Sequence, residues 1–257
     1  LGNGIIEDEL MSVNLGSSGV MFMSSKTPLS DPKGRVQSFC HALPDLWHTM
    51  GVTQGAGISL GWFKDSFYLD NQNGLMQLND ESQKIPPGSD GLIFLPYLRG
   101  ERSPLLDPFA RGVFFGIQPH HTRGHFARAI FEGVSYSFCD CFQVYLEQGI
   151  NPKAVRLSGG GAKSDLWADI IASTLNHELV LMEDSEAGTR GMAMLVAYAS
   201  GKFSSITEAV TTFVHPMKRV VPSKDLVAVY RKGFLLYQEI YQALKPSFRH
   251  LDTFLKG

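Results

Sequence analysis

The 257-residue chain contains no run of eighteen consecutive apolar residues, the length that a helix crossing a bilayer requires. Its opening, "LGNGIIEDEL", lacks a basic stretch ahead of an apolar one, so no secretory leader is expected there. Lys and Arg total 23 against 25 Asp and Glu, without any dense basic block, which argues against nucleic acid as a partner. Cysteine is scarce. Cys40, Cys139 and Cys141 form no disulfide framework, and they point to a reducing cytoplasm. Cys139 and Cys141 lie two apart in a helical segment and so face different directions, unlike a metal-binding pair. Also absent are a Walker-type phosphate loop and any internal repeat.

What remains is an apolar content of 44%, enough to fill a sizeable core. Short β-like runs at 11–16 and 19–25, with Ser17 and Ser18 between them, predict a tight hairpin. A further β-like piece is expected at 36–43 and a helix from Val52 to about Leu69, its start rich in small residues. Residues 70–91 are polar and read as loop or short helix. Strands are expected at 91–98 and 113–117. Phe126, Ile130, Val134, Phe138 and Phe142 recur every four residues and predict the clearest helix, with Gly149 placed to stop it. A strand at 154–158, a helix at 164–176, a strand at 178–182, a helix at 188–200 and a last helix over about 223–245 complete the pattern. Strands alternating with helices imply a layered α/β fold, and the early hairpin makes its sheet mixed.

Several local patterns compete for chemistry. "GAGISLG" (55–61) misses the dinucleotide fingerprint by one position and follows no apolar strand, so it reads as helix packing. "GSSG" (16–19) lacks the single flanking residues and the strand-to-helix turn of a nucleophile elbow. A hairpin tip can instead offer backbone N–H groups and hydroxyls to an anion. "HHTRGH" brings His120, His121 and His125 together but supplies no ordered partner set for a metal, so it reads as a solvated helix start. "RGERSPLLDPFARG" carries more charge than a plain connection needs, as a loop scaffold or a cleft wall. "RLSGGGAKSDLW", Arg156 to Trp167, places three glycines between a strand and a helix. It is either a turn or a backbone that something must approach closely.

Together, "NLGSSGVMF", "FCHALPDLWHTMGV", "GLIFLPYLRGERSPLLDPFARGVFFG", "RAIFEGVSYS" and "LSGGGAKSDLW" stand in the order and spacing of one family. The chain resembles the C-terminal half of an FGGY carbohydrate kinase from its first residues to about Leu244. The resemblance implies a ribonuclease H-like (actin-like ATPase) α/β domain over residues 1–245, with 246–257 as a C-terminal tail, and a mixed sheet flanked by helices. It implies ATP and Mg²⁺ as cofactors and a sugar as substrate. The "FCHALP..WH.MGV" block is most like that of members acting on D-xylulose, which yields D-xylulose 5-phosphate. Gluconate, another pentulose or a polyol is the alternative substrate, and a non-catalytic nucleotide-binding module is the alternative function.

By the same resemblance Ser17, Ser18 and Gly19 belong to a phosphate-contacting hairpin, with serine standing where threonine is usual at 18. Gly159, Gly160, Gly161, Ala162 and Lys163 correspond to the adenosine motif. Ser164 and Asp165 are expected to cap the next helix beside the nucleoside. "GTRG" (188–191) takes the place of a helix-packing segment whose usual small residues are here Thr189 and Arg190, which puts that tight contact in question. The family's general base is an aspartate placed before the segment that here reads "LGNGII". The sugar-binding residues belong to an N-terminal kinase domain that would be this chain's partner. The chain alone is therefore expected to be inactive, and self-association is expected if the surface facing that domain is bare.

Overall fold

In the computed structural model, which describes residues 1–68, 73–183 and 186–256, the chain begins its sheet with the expected hairpin. Strand β1 (Leu10–Leu15) pairs antiparallel with β2 (Gly19–Ser25), Leu15 opposite Gly19. Met11, Val13, Leu15, Met21 and Met23 are buried on one face, while Asn14, Val20 and Phe22 lie half-buried on the other. This is the period-2 pattern of a strand.

β3 (Gln37–Cys40) and β4 (Trp47–Thr53) extend the sheet beyond β2. The second of these corrects the sequence reading, which started a helix at Val52. Helix α1 runs from Gly57 to Phe67. The core-facing residues of β4 are Thr49, Gly51 and Thr53, so no apolar alternation marks it. Cys141 fills the space over Gly51, and the Tyr145 hydroxyl donates to the Thr49 carbonyl (3.2 Å). Helix α2 (Gly74–Gln83) occupies part of the stretch expected as loop or short helix. β5 (Ile93–Leu95) and β6 (Val113–Phe115) form a separate two-stranded sheet, with the charged 96–112 connection between them.

Helix α3 (Arg123–Glu147) is the long helix that the four-residue spacing predicts. Ile130, Val134, Phe138 and Phe142 are all buried, and Gly149 turns left-handed just past its end (φ 76°). β7 (Ala154–Ser158) runs parallel to β1. It leads through the glycine turn into α4 (Asp165–Leu175) and then β8 (Leu179–Met182), parallel to β7. Helices α5 (Ala187–Ala199) and α6 (Ile206–Phe213) and the edge strand β9 (Pro216–Val220) follow, the last two unanticipated. The main sheet has the order β3-β4-β2-β1-β7-β8-β9, so it is mixed, with parallel pairing only where helices cross over.

Helix α7 spans Lys224–Lys256 and passes the expected end near residue 245. Pro246 removes one backbone donor, yet Phe248 is buried beyond it, 6.5 Å from the Tyr241 ring, and Arg249 lies over Phe109. These contacts hold the helix to the domain across the proline. "GTRG" packs on the opening segment of the chain: a Cβ on Gly191 would lie 3.1 Å from the Gly2 nitrogen, and Arg190 Nε donates to the Gly2 carbonyl (2.8 Å). No helix among the described residues is long and apolar enough to cross a membrane.

Candidate nucleotide site

β1 and β7 are neighbouring parallel strands, so the segments that follow them emerge side by side at the carboxyl ends of the strands. The first is the tip Gly16-Ser17-Ser18, the second the turn Gly159-Gly160-Gly161-Ala162-Lys163. In open α/β sheets the carboxyl ends of such strands are where ligands bind.

The three glycines have three different environments. Gly159 has φ 94° and ψ 170°, and a Cβ there would lie 2.7 Å from the Leu15 carbonyl carbon and oxygen. A Cβ on Gly161 would lie 2.5 Å from the Leu15 side chain and 2.9 Å from the Trp167 ring. At Gly160 nothing lies within 4 Å of a Cβ. The bare backbone at 159 and 161 thus answers to the protein's own packing, and only Gly160 leaves space open to a ligand.

That space belongs to a cavity of about 480 Å³, within the range of small-molecule sites. Gly160, Gly161, Lys163, Ser164 and Asp165 form one side of it. The other side is apolar, from Leu60, Leu78, Phe131 and Trp167, with the Asn79 and Gln83 amides among them. The Trp167 indole N–H donates to the Phe131 carbonyl (3.1 Å), which fixes the ring edge-on to Phe131. Ser164 is the N-cap of α4 and accepts from the Trp167 N–H (3.2 Å), as the capping expectation requires. With its single proton it donates to Asn79 Oδ1 (2.6 Å), tying α2 to the start of α4. Asp165 is held by Lys218 and stands in the helix's first turn. Ala162 turns inward against the core.

The hairpin tip lies outside that cavity. Ser17 and Ser18 are exposed, with hydroxyls free to face solvent, whereas Gly19 is buried beneath Phe138 and Thr53. The tip is held from behind: Gly57 N–H donates to the Gly16 carbonyl and Ile58 N–H to that of Ser17, both at 2.9 Å. The first turn of α1 therefore spends its amides on the hairpin, which accounts for the glycine at 57, whereas a Cβ on Gly55 would meet the Pro96 carbonyl oxygen at 1.8 Å. A Cβ on Gly57 would lie 2.6 Å from the Gly16 oxygen.

Sequence reasoning missed Asn79, Leu60 and Leu78, because α1 was misplaced and α2 was not resolved from its polar surroundings. Trp167 stood at the end of the glycine stretch, and its aromatic ring was the available signal. The histidines sit elsewhere. His125 Nδ1 accepts from the Thr122 N–H (3.0 Å), so its Nε2 carries the proton and lies 3.1 Å from Asp90. His125, Asp90 and His120 are close enough to surround an ion, but that proton opposes ligation by His125.

The family described as "FGGY family of carbohydrate kinases, C-terminal domain" matches residues 11–200. The chain belongs to it. A xylulose kinase of Bacillus subtilis (strain 168) is 36% identical over the whole of this chain and 51% of its own length. A gluconokinase of the same organism is 32% identical over 100% of this chain and 52% of its own. The crystal structure of a ligand-bound xylulose kinase from Lactobacillus acidophilus superposes with a TM-score of 0.88 at 30% identity, covering 97% of this chain and 50% of that one. The chain spans about half the length of these relatives. The fold is accordingly that of the FGGY sugar kinases, an actin-like, ribonuclease H-like α/β domain with a mixed sheet flanked by helices.

Proposed function

We propose that this chain forms the nucleotide-side domain of an ATP-dependent sugar kinase, most similar to those that act on D-xylulose. The observation that carries the reading is the open space at Gly160. It lines a cavity of about 480 Å³ beside a hydroxyl-bearing hairpin, both at the carboxyl ends of adjacent parallel strands. Leu60, Leu78, Phe131 and Trp167 would hold the base and Gly160 the nucleoside, with Lys163, Ser164 and Asp165 at the rim. The tip amides and hydroxyls of Ser17, Ser18 and Gly19 would meet the outer phosphates. Mg²⁺ would be carried in with those phosphates and neutralise their charge in transfer.

Phosphoryl transfer also needs a sugar pocket and a general base, which this reading assigns to a partner domain outside these 257 residues. Exposed Met192 (61%) and Val196 (64%) on α5 support an apolar contact with such a partner, or with a second copy. The proposed setting is the cytoplasm.

The test is calorimetric titration of Mg-ATP into the chain and into Gly160→Val, whose side chain would fill the nucleoside space without straining the fold. Equal affinities would refute the assignment. A coupled ATP-consumption assay with D-xylulose should show no turnover, and measurable turnover would refute the need for a second wall. Gluconate is the second substrate reading, supported by the gluconokinase relative, and belongs in the same assay once the sugar-side domain is present.

A further inference from the structure

Glu101, in the connection between β5 and β6, is buried at 3% exposure. Its Oε1 accepts from the Gln54 N–H (2.9 Å) and the Arg102 N–H (2.7 Å). Its Oε2 lies 2.6 Å from Thr53 Oγ1, which in turn lies 3.1 Å from Ser137 Oγ. Ser137 donates its one proton to the Val134 carbonyl (2.8 Å).

The proton count along this chain has two solutions. With Glu101 ionised, Thr53 donates to the carboxylate, and Ser137 must turn its proton away from the Val134 carbonyl to put a hydrogen between the two hydroxyl oxygens, 3.1 Å apart. With Glu101 protonated, the acid donates to Thr53, Thr53 to Ser137 and Ser137 to Val134, and every oxygen pair has its hydrogen. The backbone amides on Oε1 favour the first arrangement and the hydroxyl relay the second. Burial pushes the Glu101 carboxyl up to about 7, where the two exchange.

This group stands directly behind the hairpin. Thr53 is the cross-strand partner of Gly19, and its methyl occupies the space over the Gly19 α-carbon. Four residues further on, Gly57 holds the Gly16 carbonyl. An anion on the tip amides would lie only about two strand spacings, roughly 10 Å, from the carboxyl, across packed protein that screens charge poorly.

We propose that Glu101 is a positioning residue for the hairpin and takes up a proton from solvent when nucleotide phosphates occupy the tip. The inference rests on the nucleotide reading above. The added negative charge disfavours the carboxylate, and the relay through Thr53 and Ser137 receives the proton without moving a heavy atom. The other groups facing Glu101 are Asp140 and Cys141 on α3, Tyr97 and Asp107 on its own connection, Arg102 beside it, and Tyr237 on α7. Burial drives Tyr97, Tyr237 and Cys141 upward, so they remain protonated, and Asp107 already accepts from Tyr241 and the Phe109 N–H. Asp140, raised by burial to about 6, is the neighbour whose titration must be separated.

The experiment is titration of Mg-ATP into the full chain near pH 7 in two buffers of different ionisation enthalpy, together with affinity measured from pH 6.5 to 8.5. The wild type should bind with net proton uptake, and its affinity should fall about sixfold across that range for a one-unit rise of the carboxyl on binding. Glu101→Gln, which reproduces the protonated arrangement, should bind with the uptake abolished and a flatter pH profile. Ser137→Ala removes the acceptor that only the protonated arrangement uses and should reduce the uptake; it serves if Glu101→Gln does not fold. Asp140→Asn should retain most of it. Binding without uptake, or uptake that survives Glu101→Gln or Ser137→Ala, overturns this inference alone. No binding by the wild type overturns the nucleotide reading and this inference with it.

Discussion

Gly159 and Leu15 are packed backbone to backbone: a Cβ on the glycine would sit 2.7 Å from the leucine carbonyl. That contact seats the glycine turn on the end of β1, and so places the proposed nucleoside wall beside the proposed phosphate hairpin. Gly159→Ala should therefore destabilise the domain by roughly 2 kcal/mol or more, from left-handed strain plus displacement of backbone. Gly160→Ala should change stability by less than about 0.5 kcal/mol, since its Cβ meets nothing. Urea unfolding of the two variants checks both, and equal losses would contradict the distinction.

Ser164→Ala should cost about 1 kcal/mol through loss of the α4 cap. It also releases Asn79, so the variant should show faster amide exchange in α2 (74–83) as well as in the first turn of α4. Protection unchanged in α2 would show that the Ser164 to Asn79 bond does not hold that helix.

A buried ion pair joins α3 to its neighbours. Arg128 Nε donates to Glu132 Oε1 (2.8 Å) and its Nη2 to the Tyr230 hydroxyl (2.6 Å), while Glu132 accepts from Gly88 N–H and Ser89. Arg128→Ala should cost roughly 3 kcal/mol or more in denaturant unfolding, because it strands a fully buried carboxylate. Replacing both partners by methionine should cost less than the single change.

Stability should fall as pH rises from about 5 to 7.5. Burial raises Glu101 to about 7 and Asp140 to about 6, from unfolded values near 4, so the native state holds more protons than the unfolded chain in that window. Their contribution is complete below the unfolded values and is lost as pH passes the folded ones, on the order of 3 kcal/mol for Glu101. Glu101→Gln should flatten the profile in thermal unfolding across this range; an unchanged slope would place the titration elsewhere.

Much of the architecture was legible because it rests on periodicity. The hairpin at 10–25, the long helix at 123–147 and the strand at 154–158 each declare themselves through alternation or four-residue spacing. β4 did not, since its inward residues are Thr49, Gly51 and Thr53, small or polar groups whose partners, such as Tyr145, come from α3, 96 residues later in that case. The end of α7 was misread at Pro246, where local propensity argues for a stop and the burial of Phe248 prevails.

The sequence by itself singled out "GSSG" and "GGGAKSD" as turns or as backbone that something approaches closely, because glycine and serine at those spacings favour such conformations. It also carried the resemblance that the family match bore out. Only the tertiary structure decided which glycine is open. Gly159 and Gly161 are closed by Leu15 and Trp167, and the space at Gly160 exists because α1, α2 and α3 face the glycine turn and the start of α4, a long-range packing that no local pattern encodes.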